Sequence, residues 1–274
     1  MTREQKLLHA VDKSARGVEI GPSHSPVAPK RKGFRVTTID TLSKEGLLDK
    51  YKNHGVELGN IEEVDFVWRG ERYPELLGER NSFEWILASH VIEHTPDIIA
   101  FLNDCEELLT DSGVLSLAVP DKRYCFDHFR PISGLARVLD SHHSKLTGHT
   151  AGSIVEYMLN AVSLGGQIAW SSSQVGEFKF LCEIPSVLAH LKLEPEARHA
   201  MDVHAWCFTP ASFRLLVHDL NLLGLTTLQA FQSFPTEGHE FFMTLRKGGK
   251  APVQSRLGLL QEVAEESGSG QSLR

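Results

Sequence analysis

No apolar run in the sequence reaches the ~18 residues that a membrane-spanning helix needs, so no membrane span is expected. Cysteine is scarce. There are four in 274 residues (Cys105, Cys125, Cys182 and Cys207), and no two form a CxxC pair. That spacing favours neither a disulfide framework nor a cysteine zinc site, and it points to a reducing, cytoplasmic setting. Positive charge is not in excess. The formal net charge is −7, which argues against binding nucleic acid through its phosphates. The opening stretch, MTREQKLLHAVDK, lacks the apolar core of a secretory signal. Internal repeats and a complete GxGxxG fingerprint are also missing. What is present suffices for a sizeable core: 41% of residues are hydrophobic and 23% charged. The length fits one large domain or two small ones.

Strand and helix signals alternate along the first part of the chain. Gly17 to Ile20 reads as a strand ending at Gly21, and Arg35 to Ile39 as a second, ending at Asp40. Lys44 to Lys52 reads as a short helix and Val64 to Trp68 as a third strand. Phe83 to Ser89 is a continuous apolar run, as expected of a strand buried on both faces. Thr95 is placed to cap the next helix, with Pro96 at its first position and Asp97 near its positive end. Gly113 reads as its stop, and Val114 to Val119 as another buried strand. This order is that of a parallel α/β sheet.

The pattern breaks after Asp121. Residues 122 to 208 show no buried strand. Helices are expected over Ile154 to Leu164 and Ser186 to His190, with a Gly/Ser-rich loop between them. Alternation resumes with a helix opened by Thr209-Pro210 and strands over Leu225 to Phe234 and His239 to Leu245. Strands joined by so short a turn must be antiparallel. The expected organisation is a core over residues 1–124 and 205–247. A helical insertion over 125–204 caps the substrate side, and 248–274 forms a mobile tail.

A glycine turn after the first strand and an acid ending the second frame a nucleoside. The turn lets the backbone approach the ligand, and the carboxylate accepts the ribose hydroxyls. Gly21 and Asp40 stand 19 positions apart, close to the ~20 of such sites. The loop GPSHSPVAPKRKG holds three prolines, so little helix can follow the turn. A helix N-terminus for pyrophosphate is therefore not expected, and the frame suits a nucleoside without phosphates. The plain alternative is a βα turn whose Asp40 caps the next element.

The strings VEIGPSHSP, TTID, FEWILASHVIEHTPD, LTDSGVLSLAVPDKRY and HAWCFTPASF…EFFMTLRK resemble class I S-adenosylmethionine-dependent methyltransferases. More narrowly, they resemble bacterial methyltransferase-domain proteins associated with glycan assembly. The resemblance covers about residues 15–125 and 202–247. It implies a Rossmann-like α/β fold: a seven-stranded, mostly parallel sheet with an antiparallel C-terminal hairpin. It also implies S-adenosyl-L-methionine as cofactor. By the same resemblance, Glu19 lines the methionine side, and Gly21, Pro22 and Ser23 form the loop under the cofactor. Asp40 holds the ribose, and the segment at Trp68 meets the adenine. Ser89, His90 and Val91 lie below the transferring methyl. The chain departs from the family at the later glycines of the loop, replaced by Ser23 and Ser25.

His90-Val91-Ile92-Glu93-His94 also matches HxxEH, an inverted zinc-protease motif. That motif needs both histidines on one face of a helix, whereas here it directly follows a buried strand. No metal is expected in the principal reading. A looser site built from Glu93, His94 and a histidine of the insertion is the alternative. In the plain reading, His94 caps the strand end.

The insertion holds seven of the 14 histidines. An oxygen nucleophile needs a base of near-neutral pKa, which histidine supplies. His128, at the carboxyl end of the sheet, and His204, where the chain returns to the core, are the two candidates. Arg123, Tyr124, Asp127 and Arg130 form a polar run that would read a hydroxylated or anionic acceptor. The expected activity is methyl transfer from S-adenosyl-L-methionine to a small-molecule or sugar acceptor, at oxygen. Through the resemblance, a glycan-assembly protein is an expected partner. Two alternatives stand beside it. One is a non-catalytic methyltransferase-like binding domain, favoured by the lost glycines. The other is a nicotinamide-dependent dehydrogenase, disfavoured by the reduced glycine motif and the terminal hairpin.

Overall fold

A computed structural model describes residues 1–199, 201–248 and 254–268. Seven strands form the main sheet: β1 (Arg16–Ile20), β2 (Arg35–Asp40), β3 (Phe66–Val67), β4 (Phe83–Ser89), β5 (Leu109–Pro120), and, after a two-stranded ribbon of β6 (Val162–Leu164) and β7 (Phe178–Phe180), β8 (Leu228–Glu237) and β9 (Glu240–Lys247). Their order is β3-β2-β1-β4-β5-β9-β8. The pairs from β3 through β5 are parallel. β9 runs antiparallel to both β5 and β8, so β9 alone opposes the other six. This is the Rossmann-like sheet with a C-terminal hairpin that the sequence suggests.

Side chains alternate between two cores, as the pleat requires. From β4 and β5, Ile86, Ala88, Leu115 and Leu117 face one core. Trp85, Leu87, Val114 and Ala118 face the other. The first core is closed by α4 (Ile98–Leu108) and α9 (Pro210–Leu222). The second is closed by α1 (Arg3–Leu7) and by the loop holding Val27, Ala28 and Phe34. Two further helices flank the first half of the sheet, α2 (Lys44–Tyr51) and α3 (Tyr73–Leu77).

Several expectations are corrected. Asp97, not Thr95, caps α4, its carboxylate accepting from the Ala100 amide at 3.0 Å. Thr95 turns back instead, its hydroxyl donating to the Ile92 carbonyl at 2.9 Å. Gly113 does not stop α4. That helix passes directly into β5, and Gly113 sits in the irregular first part of the strand, where the register with β4 shifts. The first strand of the hairpin begins at Leu228 and extends through Glu237, past the expected end at Phe234, so only Gly238 and His239 separate it from β9.

The region between β5 and α9 is mostly helical: α5 (Leu135–His143), α6 (Ala151–Asn160), α7 (Ile184–Leu191) and α8 (Pro195–His199). It also holds the β6–β7 ribbon, which was not expected. The anticipated helix over Ile154 to Leu164 ends at Asn160, and its last residues pair with Phe178–Phe180. The expected mobile tail is not mobile over 256–266. There, α10 (Arg256–Glu266) packs on α9 through buried Leu259 and through Arg256, whose guanidinium donates to both Asp219 carboxylate oxygens at 2.8 and 3.0 Å. Residues 249–253 and 269–274 of that tail lie outside the described residues.

Candidate active site at the carboxyl ends of the strands

The strand order reverses between β1 and β4, and open α/β sheets bind ligands in the crevice outside the strand ends at such a point. Gly21 follows β1 there with φ +67°. A side-chain carbon on Gly21 would lie 2.8 Å from Cγ2 of Val91, which follows β4. Both the left-handed backbone and the close approach require glycine. Asp40 is buried at the end of β2. Its two carboxylate oxygens accept from the Ser23 amide at 2.9 Å and the Thr41 amide at 2.7 Å. Burial raises its pKa, against these amide bonds. Only one short 3-10 turn, Lys30–Lys32, follows the glycine loop before β2. The loop therefore provides no α-helix N-terminus for a pyrophosphate.

Glu19 does not project freely into this crevice. Its oxygens accept from the amides of Val27 at 2.6 Å and Ala28 at 3.0 Å, fastening the far arm of the proline loop. Burial pushes its carboxyl up to about 7 despite those bonds. A cavity of about 10 Å³ remains between Glu19, Pro22, Ser23 and Pro26. Trp68 donates its indole N–H to the Glu71 carbonyl at 2.6 Å and lies against Tyr73.

Across the switch point, His90 adopts φ +55°, an uncommon conformation for a residue with a side chain. Its Nε2 is 2.9 Å from Glu240, the residue that opens β9. Arg3 donates to Glu240 at 2.7 Å and to the Ser89 hydroxyl at 2.6 Å. Burial works against a charge on His90, but the Glu240 and Glu93 carboxylates outweigh it and hold the imidazole up at about 9. Burial opposes a charge on Glu240 too, yet His90 and Arg3 bring it down to about 2. Arg3 and Glu240 were not among the expected site residues. A lone acid opening the apolar strand EFFMTL was the available signal.

Glu93 is almost wholly buried, and neither of its carboxylate oxygens has a hydrogen-bond partner. The returning chain crosses directly over it: the amides of Ala205 and Trp206 donate to its backbone carbonyl at 2.7 and 3.2 Å. That crossing brings in His204. Nε2 of His204 and Nε2 of His94 each lie 3.9 Å from Oε1 of Glu93. Nδ1 of His204 is 2.5 Å from Asp127, and Nδ1 of His94 is 3.3 Å from Asp202. Burial lowers the pKa of His94. One ligand atom from each of Glu93, His94 and His204 falls within 4.8 Å of the other two.

Of the other expected site residues, only Asp127 reaches this group, through His204. His128 stacks on Phe178 of the ribbon at 5.0 Å, with its Nδ1 2.7 Å from the Arg123 carbonyl. Arg123 is tied to Asp121 at 2.6 Å, and Tyr124 packs on the cluster of Val162, Leu164 and Trp170. Asp127 and Arg130 are corrections to the polar run expected at the mouth. Both are buried, paired at 2.7 Å, and Arg130 also meets Glu156 at 3.2 Å. They serve the interior, where a buried charge requires a partner.

The chain matches no protein family and none of the curated proteins with which it was compared. Solved structures do resemble it. One from Rhodobacter sphaeroides, named for Zn-dependent alcohol dehydrogenases, is 12% identical, with 89% of this chain and 88% of that one covered, at a TM-score of 0.47. The 1,6-didemethyltoxoflavin-N1-methyltransferase of Burkholderia thailandensis, solved with S-adenosylhomocysteine, is 13% identical over 90% of this chain and 76% of that one, at 0.45. A SAM-dependent methyltransferase of Methanosarcina mazei is 13% identical over 87% and 95%, at 0.41. At these values the likeness adds no argument about chemistry, and the fold rests on the strand order itself. No helix among the described residues is long and apolar enough to cross a membrane.

Proposed function

We propose that the chain is an S-adenosylmethionine-dependent methyltransferase that modifies a hydroxyl of a small molecule or sugar. The observation that carries this reading is the pairing of the Gly21 turn with Asp40 at the switch point, without a helix start for pyrophosphate. Such a frame seats a nucleoside and offers nothing to the second half of a dinucleotide. The ribose hydroxyls exchange for the Ser23 amide on Asp40. Gly21, Pro22 and Ser23 pass beneath the cofactor, Glu19 holds that loop closed, and Trp68 flanks the adenine. Ser89, His90 and Val91 bound the methyl side.

Methyl transfer is an in-line displacement. The acceptor oxygen bonds to the methyl carbon as the carbon–sulfur bond breaks, the sulfonium becomes a thioether, and the hydroxyl proton leaves. The protein need only align the two partners and provide for that proton. We assign the latter to the His204 end of the site. Asp127 fixes its Nδ1, leaving Nε2 directed at the group beside the end of β4. His128, held among the ribbon aromatics, is the weaker candidate. Residues 125–204 are proposed to set acceptor choice, because segments at the sheet ends carry function on a rigid scaffold. The resemblance to glycan-assembly proteins favours a sugar hydroxyl and a protein partner in that process. The four free cysteines fit a cytoplasmic setting.

A non-catalytic binding domain is the second reading, and one observation favours it: both Asp40 oxygens are already engaged by amides. Transfer of labelled methyl groups from S-adenosylmethionine to a panel of sugars, nucleotide sugars and small hydroxylated compounds separates the two. Catalysis predicts a labelled product. It also predicts that His204→Ala lowers kcat by ~10²-fold or more while S-adenosylhomocysteine affinity stays within about twofold. No labelled product together with no binding of S-adenosylmethionine or S-adenosylhomocysteine would favour the second reading.

A further inference from the structure

A carboxylate buried without any hydrogen bond is costly, and native structures rarely leave one so. Glu93 is 1% exposed and neither of its oxygens has a hydrogen-bond partner, so an ion pair with His90 is the nearest compensation for its charge. His90, the nearest cation, stays 3.4 Å away, outside hydrogen-bond geometry. Two imidazoles face the same carboxylate oxygen through the same ring atom. Nε2 of His94 and Nε2 of His204 are each 3.9 Å from Oε1 of Glu93. Their far nitrogens each face a carboxylate. Asp127 hydrogen-bonds Nδ1 of His204, and the Asp202 carboxylate lies at ion-pair distance, 3.3 Å, from Nδ1 of His94. Asp127 is in turn held by Arg130, and Asp202 by Lys50 at 3.3 Å.

That arrangement is the signature of ligating histidines. The outer nitrogen donates to an acid, which fixes the tautomer and leaves the inner lone pair for a metal. We propose that Glu93, His94 and His204 bind one divalent transition-metal ion at the carboxyl ends of β4 and β5. Two nitrogens and one oxygen suit a borderline ion such as zinc, whereas calcium and magnesium prefer all-oxygen shells. Bonds of roughly 2.0 Å in a tetrahedral shell place ligand atoms about 3.3 Å apart, so the two histidine contacts with Glu93 close by about 0.6 Å each and the two imidazoles, within 4.8 Å of one another, by at most about 1.5 Å. Three protein ligands leave at least one position open, as in catalytic rather than structural sites. The site stands whether or not methyl transfer is the activity. Where both hold, His204 is a ligand instead of a free base, and the metal ion activates the acceptor hydroxyl as a Lewis acid.

The test uses the tag-free full chain, stripped with chelator and titrated calorimetrically with zinc chloride, without cofactor or acceptor. One equivalent should bind at micromolar affinity or tighter, and magnesium chloride should not bind at the same concentrations. Glu93→Gln, His94→Ala and His204→Ala should each weaken zinc by at least about 100-fold. Asp127→Asn, at a positioning residue, should weaken it by roughly 10–100-fold. His190→Ala, at a half-buried histidine of the insertion whose Nδ1 lies 2.8 Å from the Ser186 carbonyl, should change nothing. Cobalt substitution should give visible absorption bands that disappear in His94→Gln, a variant at a half-buried position that spares the fold if Glu93→Gln does not. No zinc uptake by folded protein would overturn the proposal, as would uptake that survives both His94 variants. Titration of the stripped protein with S-adenosylhomocysteine reads the cofactor site separately. Cofactor binding without zinc binding defeats the metal site and spares the methyltransferase reading.

Discussion

Gly21 and Val91 hold the two strand ends of the switch point in contact: a carbon added to Gly21 would fall 2.8 Å from Cγ2 of Val91. Gly21→Ala therefore adds a clash to the cost of a side chain at φ +67°, the latter about 1–2 kcal/mol. The variant should lose at least that much stability in urea denaturation, together with most cofactor affinity. Gly21→Ala/Val91→Ala should recover only the part due to the clash. Full recovery would mean that the left-handed turn is not needed.

Arg130 is fully buried with Asp127 and Glu156 around its guanidinium. Removing one partner of a buried ion pair leaves an uncompensated charge, which costs about 3–5 kcal/mol. Arg130→Met should show that loss in urea denaturation. Arg130→Met/Asp127→Leu should restore most of it while releasing His204. A cost below ~1 kcal/mol for Arg130→Met would indicate a solvated pair, available to an acceptor after all.

The central sheet was legible because its middle strands are continuous apolar runs, which only a doubly covered strand tolerates. Phe83–Ser89 is located to the residue, and the β8–β9 hairpin within a few. Gly21 and Asp40 were legible because turn conformation and a lone acid after a β-branched run are local properties. The insertion was less so. Val162–Leu164 is too short to declare a strand until it meets Phe178–Phe180. Asp127 and Arg130 lie in a polar run, and their burial comes from α6, which supplies Glu156 and Tyr157. The group at Glu93 depends on contacts such as that of the Trp206 indole with the Thr95 carbonyl, 111 positions away. Local pattern carries no trace of such a crossing. In α10 only Leu259 is buried, and a single packed leucine among Gly, Ser and Glu leaves no apolar stripe to read in the sequence.

Glu19 gives the fold a pH dependence of defined sign. Burial raises its folded pKa from an ordinary 4.5 to about 7, so the folded state holds a proton that the unfolded chain has released between those values. Its contribution to stability is full below pH 4.5 and is lost as pH rises through about 7. The loss is at most ~3 kcal/mol. Denaturation across pH 4 to 8 should therefore show the wild type losing stability relative to Glu19→Gln as pH rises. A difference that does not change with pH would mean that the two loop amides keep Glu19 charged throughout.

The account turns on Asp40 as the seat of a nucleoside. Its most direct measurement is calorimetric titration of wild type and Asp40→Ala with S-adenosylhomocysteine, with NAD in parallel. The wild type should bind one equivalent of S-adenosylhomocysteine and no NAD. Asp40→Ala should bind at least about tenfold more weakly, a loss of ~1.4 kcal/mol or more as charge-assisted bonds to the ribose disappear. Unchanged affinity in a folded Asp40→Ala variant, or binding of NAD in preference to S-adenosylhomocysteine, would contradict it.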